Sequence, residues 1–185
     1  MKRWVWLAAG VVLTLAGFGA GGLTVVAAGL FDARASTPHN PIVAWAAHTT
    51  MIHAMKRMSQ GVDPPPAFTP AQTIAGMHLY EQQCMMCHGG PGVPRADWVQ
   101  GMNPAPPFLL DVSRRFTSGQ LFWLVKNGVK MTGMPAWGLS DDDGRIWDVV
   151  AFLEAMPEIK PADFQKQAGV QPPSAARSPS GPGRR

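Results

Sequence analysis

Cysteine is nearly absent from this sequence: its 185 residues include only two, Cys84 and Cys87. A structural zinc site needs four ligands, and the five histidines add no second pair at a matching spacing. A thioredoxin-like dithiol needs strands around its cysteine pair, but no alternating strand pattern flanks this one. A zinc site and a redox dithiol remain alternatives, but neither is favoured by the residues around the cysteine pair.

A basic stripe is also lacking from the part of the sequence that is expected to fold. The whole chain has a formal net charge of +4. Between Thr69 and Met156, however, six basic side chains are outnumbered by eight acidic ones, which leaves a net charge of −2. Nucleic-acid binding requires positive charge concentrated on the folded domain, so the sequence argues against this class of function.

The two cysteines lie in the segment Cys84-Met85-Met86-Cys87-His88. In a CxxCH segment the two thiols add across the vinyl groups of haem, and the histidine that follows becomes the proximal ligand of the iron. This interpretation uses all three reactive side chains of the motif. The sequence thus predicts one covalently attached haem c, held by Cys84, Cys87 and His88.

Charged residues are absent from Trp4 to Phe31, a run longer than the ~20 apolar residues that span a bilayer. Lys2 and Arg3 precede the run, which places the N-terminus in the cytoplasm and the remainder on the exported side. Cleavage of a signal peptide is the alternative, because residues 33–35 read Ala-Arg-Ala, although the apolar run exceeds a typical signal core. We expect a single-pass anchor in the cytoplasmic membrane with a periplasmic domain.

Three helices are predicted from residue 69 onward from their capping signals. Thr69 and Thr117 are each followed three residues later by glutamine, the pattern of a capping box. Ser140 is followed in the same way by Asp143. The predicted helices cover residues 70–84, 119–127 and the stretch from Ser140 through Met156. Long Gly- and Pro-rich loops join them, and a covalent haem would fill the space that three helices alone leave empty.

A further apolar helix is predicted over residues 42–58, ahead of a stiff Pro-rich spacer. One face of this helix carries soft metal ligands, namely His48, Met51, Met55 and Met58. Packing against a neighbouring surface is the favoured role of that face, and a Cu(I) site is the alternative.

The predicted organisation has four parts: an anchor, a Met-rich helix with its spacer, a haem domain and a disordered tail. They cover residues 1–35, 36–68, 69–158 and 159–185, respectively.

From Thr69 to Met156 the sequence resembles the single-haem class I cytochromes c. The resemblance implies an all-α fold in which three main helices with long loops surround a covalent haem. It also implies that the first of these helices crosses the last through Gly76 and Tyr80. Their expected partners are Val149 and Phe152. It says nothing about the N-terminal transmembrane helix that is expected to precede this domain, about the Met-rich helix or about the tail.

The resemblance also implies the remaining haem contacts. Met134, in the segment GMPAWG, is expected to be the second axial ligand, because a thioether sulfur suits low-spin haem iron; Met131 is its rival. The Pro107 carbonyl is expected to accept the Nδ1 hydrogen of His88 and to orient that ring, with Pro106 as the alternative.

Phe122, Trp123 and Trp137 are candidates for the haem wall, where aromatic side chains exclude water; ordinary core packing would use the same residues. With both axial positions filled, the predicted role is transfer of single electrons, not enzymatic catalysis. A quinol-oxidising complex or dehydrogenase is the expected donor, and a terminal oxidase or reductase is the expected acceptor. Docking is expected near Met85 and Met86.

Two alternatives to a free electron carrier remain open from the sequence. One is a haem-based small-molecule sensor or enzyme in which Met134 dissociates from the iron. The other is a fixed electron-transfer subunit of a dehydrogenase or oxidase complex.

Overall fold

The computed structural model of the chain describes residues 2–169, without the side chains of Asp111 and Val112. That part is helical and contains no β-strand. Its α-helices are α1 (Lys2–Ala27), α2 (Pro41–Met58), α3 (Pro70–Gln83), α4 (Met85–His88), α5 (Leu109–Val112), α6 (Ser118–Asn127), α7 (Asp143–Ala155) and α8 (Pro161–Gln167). Short 3₁₀ turns cover Asp97–Gly101, Ser113–Arg115, Trp137–Leu139 and Met156–Glu158. The predicted all-α fold is confirmed.

The chain divides after Pro38 into two compact units. The first unit consists of α1 and the short segment that follows it. Helix α1 contains no buried residue and is long and apolar enough to cross a membrane, as a signal sequence near an N-terminus also is. All other helices belong to the second unit.

Helices α3 and α7 cross at Gly76, where the absence of a side chain lets the two backbones meet. A Cβ at this position would overlap the carbonyl oxygen of Asp148 and lie 2.9 Å from the amide nitrogen of Val149. One turn later, the fully buried Tyr80 lies against Phe152, with ring centroids 5.1 Å apart. The crossing predicted between the first and the last of the three main helices of the haem domain is therefore present, as the contact between α3 and α7.

Helices α6 and α2 complete the bundle around this crossing. Phe122 on α6 stacks on Trp147 of α7 with a centroid distance of 4.2 Å, and Met55 of α2 is fully buried. The chain after α2 also packs on the bundle, since Val62 contacts the core and the Phe68 ring lies 6.2 Å from that of Trp147. The predicted Pro-rich spacer is therefore held against the bundle at both of its ends.

The predicted caps are present at two helix starts. The hydroxyl of Thr69 accepts the backbone N–H of Gln72, and the hydroxyl of Thr117 accepts that of Gln120. In each case the glutamine side chain accepts the N–H of the capping threonine in return. These reciprocal bonds explain why α3 begins at the predicted residue and α6 one residue before it, directly after its capping threonine.

The start of α7 differs from the prediction. Its N-cap is Asp142, whose carboxylate accepts the N–H of Arg145 at 2.9 Å. The hydroxyl of Ser140 instead lies between two acceptors, the carbonyl of Trp137 at 3.1 Å and the carboxylate of Asp141 at 3.0 Å, and shares its one hydrogen between them. The 3₁₀ turn Trp137–Leu139 brings the carbonyl within reach. The prediction of Ser140 as the cap is therefore wrong, and the helix starts two residues after the position that it implied.

The predicted disordered tail also needs correction. Residues 161–167 form α8, and its Phe164 is fully buried against Phe152, with ring centroids 5.9 Å apart. The side chain of Gln165 donates to the carbonyl of Gly92 at 2.9 Å. Disorder from residue 159 is therefore wrong for this helix, because one aromatic side chain docks it on the core; residues 170–185 of the predicted tail lie outside the described part.

Candidate haem attachment site

The cysteine pair and its histidine form one turn of helix directly after α3. The amide of Cys87 donates to the carbonyl of Cys84 at 3.1 Å, and the amide of His88 donates to the same carbonyl at 2.9 Å. Residues three and four apart lie on one side of a helix. Both thiols are free and half-buried, so this turn presents the two thiols and the imidazole together.

Burial raises the pKa of the Cys84 thiol to about 12, and the nearby Cys87 and Asp141 act in the same direction. Burial also acts to raise the pKa of Asp141, but hydrogen bonds from Arg145, Ser140 and Gln83 outweigh it and lower that pKa. The amide of Gln83 donates to Asp141 at 3.1 Å, and the Nε of Arg145 donates at 2.6 Å. Next to the attachment turn, therefore, Cys84 is a neutral thiol and Asp141 is an ionised carboxylate.

The Nδ1 atom of His88 lies 2.8 Å from the carbonyl oxygen of Pro107. Because a carbonyl can only accept, this contact requires the hydrogen on Nδ1 and leaves Nε2 as the nitrogen with a free lone pair. The carbonyl of Pro106, the alternative acceptor, instead receives a hydrogen bond from Arg95. Burial lowers the pKa of His88, the hydrogen bond to Pro107 opposes this, and the charge of Arg95 lowers the pKa further. The net shift favours the neutral imidazole that a metal requires.

The end of the attachment turn is held by a residue of the helix crossing. The hydroxyl of Tyr80 donates to the carbonyl of Gly89 at 2.5 Å, and Tyr80 is itself fully buried. The same side chain thus joins the α3–α7 contact to the backbone just after His88. The position of the imidazole depends in this way on the core.

The methionine loop lies between α6 and α7. The backbone of Met134 is held at both polar atoms: its N–H donates to the Thr132 hydroxyl at 3.1 Å, and its carbonyl accepts from the Val129 amide at 3.3 Å. Its side chain is half-buried. Met131 is 91% exposed and adopts a positive φ of 61°. Of the two candidate methionine ligands, Met134 is half-buried and Met131 lies in solvent.

The three aromatic residues predicted as a haem wall are in different environments. Phe122 is buried and stacked on Trp147, so its ring belongs to the contact between α6 and α7. Trp137 is partly buried against the core, and Trp123 is half-buried on α6. Phe122 has almost no exposed surface left, whereas Trp123 and Trp137 are partly exposed and could contact a haem.

Together these side chains fit a covalent c-type haem. Two free thiols and an imidazole share one helical turn, the Nε2 of His88 is not used by its contact with Pro107, and a half-buried thioether is available at Met134. Across residues 2–169, no cluster of three or more histidine, cysteine, aspartate or glutamate side chains is arranged to hold a metal ion. Within these residues, therefore, Cys84 and Cys87 lack the two further ligands that a structural zinc site needs.

Residues 71–153 match the protein-family model described as cytochrome c oxidase, cbb3-type, subunit III. This match spans α3 through most of α7 and contains the attachment turn and the methionine loop. Comparisons with curated proteins and with solved structures return no match. The matched segment supports a c-type cytochrome domain that takes part in electron transfer and carries covalently bound haem c.

Three contacts near the site have no signal in the sequence. The Tyr80 hydroxyl reaches Gly89, the Arg95 guanidinium reaches Pro106, and the Met102 side chain lies against Gly133, where a Cβ would overlap it. Each contact joins segments that no spacing rule connects. Their side chains were readable from the sequence, but their partners were not.

Proposed function

We propose that this chain is a single-haem c-type cytochrome, anchored in the cytoplasmic membrane, that passes single electrons between redox proteins on the exported side and is not itself an enzyme. Bound haem would supply the one-electron Fe(II)/Fe(III) couple. Cys84 and Cys87 would hold it covalently, and His88 and Met134 would be its axial ligands. Trp123 and Trp137 would limit the access of water, which favours a higher reduction potential.

The observation that carries this proposal is the hydrogen bond between His88 Nδ1 and the Pro107 carbonyl, at 2.8 Å. A ring nitrogen committed to a carbonyl fixes the tautomer and the orientation of a ligating imidazole. A histidine that only packs in a core does not require a fixed tautomer, and it has no reason to lie within one helical turn of two free thiols.

The methionine loop favours electron transfer over sensing. A sensor would need the Met134 sulfur to leave the iron, and the loop would have to move. Both backbone polar atoms of Met134 are hydrogen-bonded within the loop, and Gly128 packs closely on the adjacent Pro135, where a Cβ would lie 2.5 Å from its carbonyl. These contacts support a ligand that stays in place, which suits an iron centre without an open position.

A redox partner would dock beside the attachment turn, where apolar side chains are exposed. Met86 is 57% exposed, and Trp98 and Phe108 are also exposed. Met85, which is predicted together with Met86 as a docking residue, packs instead against the core. Flexible and apolar contacts of this kind suit the small, transient interfaces of electron-transfer encounters.

A second candidate is favoured by the description of the matched family, which names an oxidase subunit. On that alternative the cytochrome would remain bound within a respiratory complex. Purification of the whole chain from membranes in mild detergent separates the two: a free carrier migrates alone, and a subunit migrates with partner chains in fixed proportion.

Three measurements test the main proposal, two on the purified chain and one on membranes. Denaturing electrophoresis should show haem that stays with the polypeptide. The oxidised protein should absorb weakly at ~695 nm, which reports iron–sulfur ligation, and this band should persist when cyanide is added. The spectrum of the reduced protein should likewise be unchanged by carbon monoxide, which binds Fe(II). Intact chains should sediment with the membrane and expose the haem domain to external protease. Loss of the band on addition of cyanide would favour the sensor, and a soluble exported form that begins at Ser36 would refute the anchor.

A further inference from the structure

The side chain of Arg95 bridges the residues on either side of the carbonyl that holds the axial histidine. Its guanidinium donates to the carbonyl of Pro106 and lies over the ring of Phe108, 4.2 Å from the ring centroid. Between these two contacts is Pro107, whose carbonyl lies 2.8 Å from His88 Nδ1. One side chain thus holds the segment on both sides of the acceptor.

This segment has few means of fixing itself. Pro104, Pro106 and Pro107 have no backbone N–H to donate. Phe108, which precedes α5, makes no side-chain capping bond. A rigid ring at each proline restricts the local torsions, but it does not fix where the segment lies relative to the imidazole. A long-range contact such as that of Arg95 can do so.

Arg95 is itself held close to the attachment turn. The amide of the next residue, Ala96, donates to the carbonyl of Met86 at 3.1 Å. Before it, Gly90 and Val93 exchange backbone hydrogen bonds of 2.9 and 3.0 Å. The chain leaves the histidine, makes this tight turn and returns along the attachment turn, so that Arg95 starts from a fixed position.

The corner where these segments meet leaves no room for a side chain at Gly89. A Cβ there would lie 2.8 Å from the Val93 carbonyl, 3.1 Å from the Phe108 ring and 3.3 Å from the Arg95 amide. The backbone of Gly89 also has a φ of 68°, which glycine adopts without strain. Dense contact on this side means that a displaced Pro106–Phe108 segment would have to move away from His88.

We propose that Arg95 is a positioning residue for the axial histidine: it clamps the Pro106–Phe108 segment against His88 and supplies a fixed positive charge beside the proximal ligand. This inference rests on the proposed haem ligation by His88. The clamp keeps the imidazole hydrogen bond intact, and the charge favours Fe(II) over Fe(III), since the oxidised centre carries one more positive charge. Guanidinium stays charged at every pH at which the protein folds.

The two parts of the proposal separate in three variants of the haem-loaded full chain. Arg95→Gln removes the charge and the planar stacking. Arg95→Lys keeps the charge but loses the fork geometry that reaches a carbonyl and an aromatic face together. Phe108→Leu keeps Arg95 but removes the ring beneath it. Arg114→Gln is the matched control, because Arg114 is a surface residue paired with Glu158.

Two readouts are measured on each variant. Exchange of the His88 Nδ1 proton with D₂O, followed by NMR, reports how often the bond to Pro107 opens. Equilibrium redox titration reports the ratio of Fe(II) to Fe(III) at a fixed ambient potential. We expect proton exchange to be faster by about tenfold in all three variants at the clamp, and unchanged in Arg114→Gln. We expect the Fe(II)/Fe(III) ratio to fall by about threefold to tenfold only in Arg95→Gln, and tenfold corresponds to about 59 mV for one electron.

If the Nδ1 proton of His88 exchanged at the native rate in both Arg95→Gln and Phe108→Leu, the clamp would be overturned. A lower melting temperature of these variants would not rescue it, because loss of a purely structural contact also lowers the melting temperature. An equal redox shift in Arg95→Gln and Arg114→Gln would overturn the specific effect of the charge. If the native chain carried no covalent haem, the proposed function would fall together with the inference. If the native chain showed the haem spectrum expected for iron–sulfur ligation but the variants matched it in proton exchange and in redox titration, only the role of Arg95 would be refuted and the proposed function would stand.

Discussion

Replacing Gly76 by alanine tests the helix crossing on which the attachment site rests. In an exposed helix interior this change stabilises a protein by up to ~1 kcal/mol, because glycine is the poorer helix former. At Gly76 the new methyl group would instead overlap the backbone carbonyl of Asp148, which cannot rotate away as a side chain would. Overpacking in a core costs about 1–3 kcal/mol, and a backbone obstacle lies at the upper end of that range. We therefore expect a net loss of about 2 kcal/mol.

The assay is guanidinium unfolding of the haem-loaded chain in mild detergent. It is followed by haem absorbance, because helix α1 lies outside the second unit and would add its own contribution to a helicity signal. Gly144→Ala is the control: Gly144 is exposed in the first turn of α7, and its Cβ would lie 3.2 Å from a carboxylate oxygen of the N-cap Asp142, a side-chain atom that can shift by a few tenths of an ångström. We expect the control to change stability by no more than ~1 kcal/mol, because the gain in helix propensity and the close contact with the cap oppose each other. A midpoint for Gly76→Ala equal to or above that of Gly144→Ala would refute the close crossing.

The axial ligand and the attachment are tested by further substitutions. Met134→His should keep the haem, lower the reduction potential and abolish the iron–sulfur band, whereas Met131→Leu should alter neither the band nor the potential; the reverse pattern would reassign the ligand. Replacing Cys84 and Cys87 together by serine should leave the haem loose or absent and remove most helicity from the second unit. A double variant that stays folded with native stability would show that the core does not depend on haem.

Much of the fold was predictable because its signals are local. The caps at Thr69 and Thr117 each need only a partner three residues away. The attachment turn is similar, since Cys84 and His88 are four residues apart and one helical turn brings them together. Such patterns survive in any tertiary context because the atoms that satisfy them are already neighbours in the chain.

Contacts between distant segments were not predictable in this way. The segment around α8 is rich in polar residues and proline, a composition that predicts a disordered tail, yet Phe164 docks it on Phe152. A single aromatic in a polar segment has no periodicity, so nothing in the sequence distinguishes it from an exposed residue. The Arg95 contact with Pro106 has the same character, because a carbonyl acceptor is present at every residue. Tertiary placement selects the partner in both cases.

The face of α2 that carries soft metal ligands gives a final prediction, which is negative. Met55 is fully buried and Met51 is half-buried, but Met58 is 57% exposed and His48 is also exposed. A Cu(I) site needs its sulfur and imidazole ligands to converge on one point, and these four side chains are divided between the core and solvent. Methionine in such a position fills an irregular apolar gap. We therefore expect the purified chain to contain iron but no stoichiometric copper after incubation with Cu(I) and a competing chelator, measured by elemental analysis. Tight copper binding that disappears in the Met51→Leu, Met55→Leu double variant, with the haem spectrum unaffected, would contradict the assignment of this face to packing.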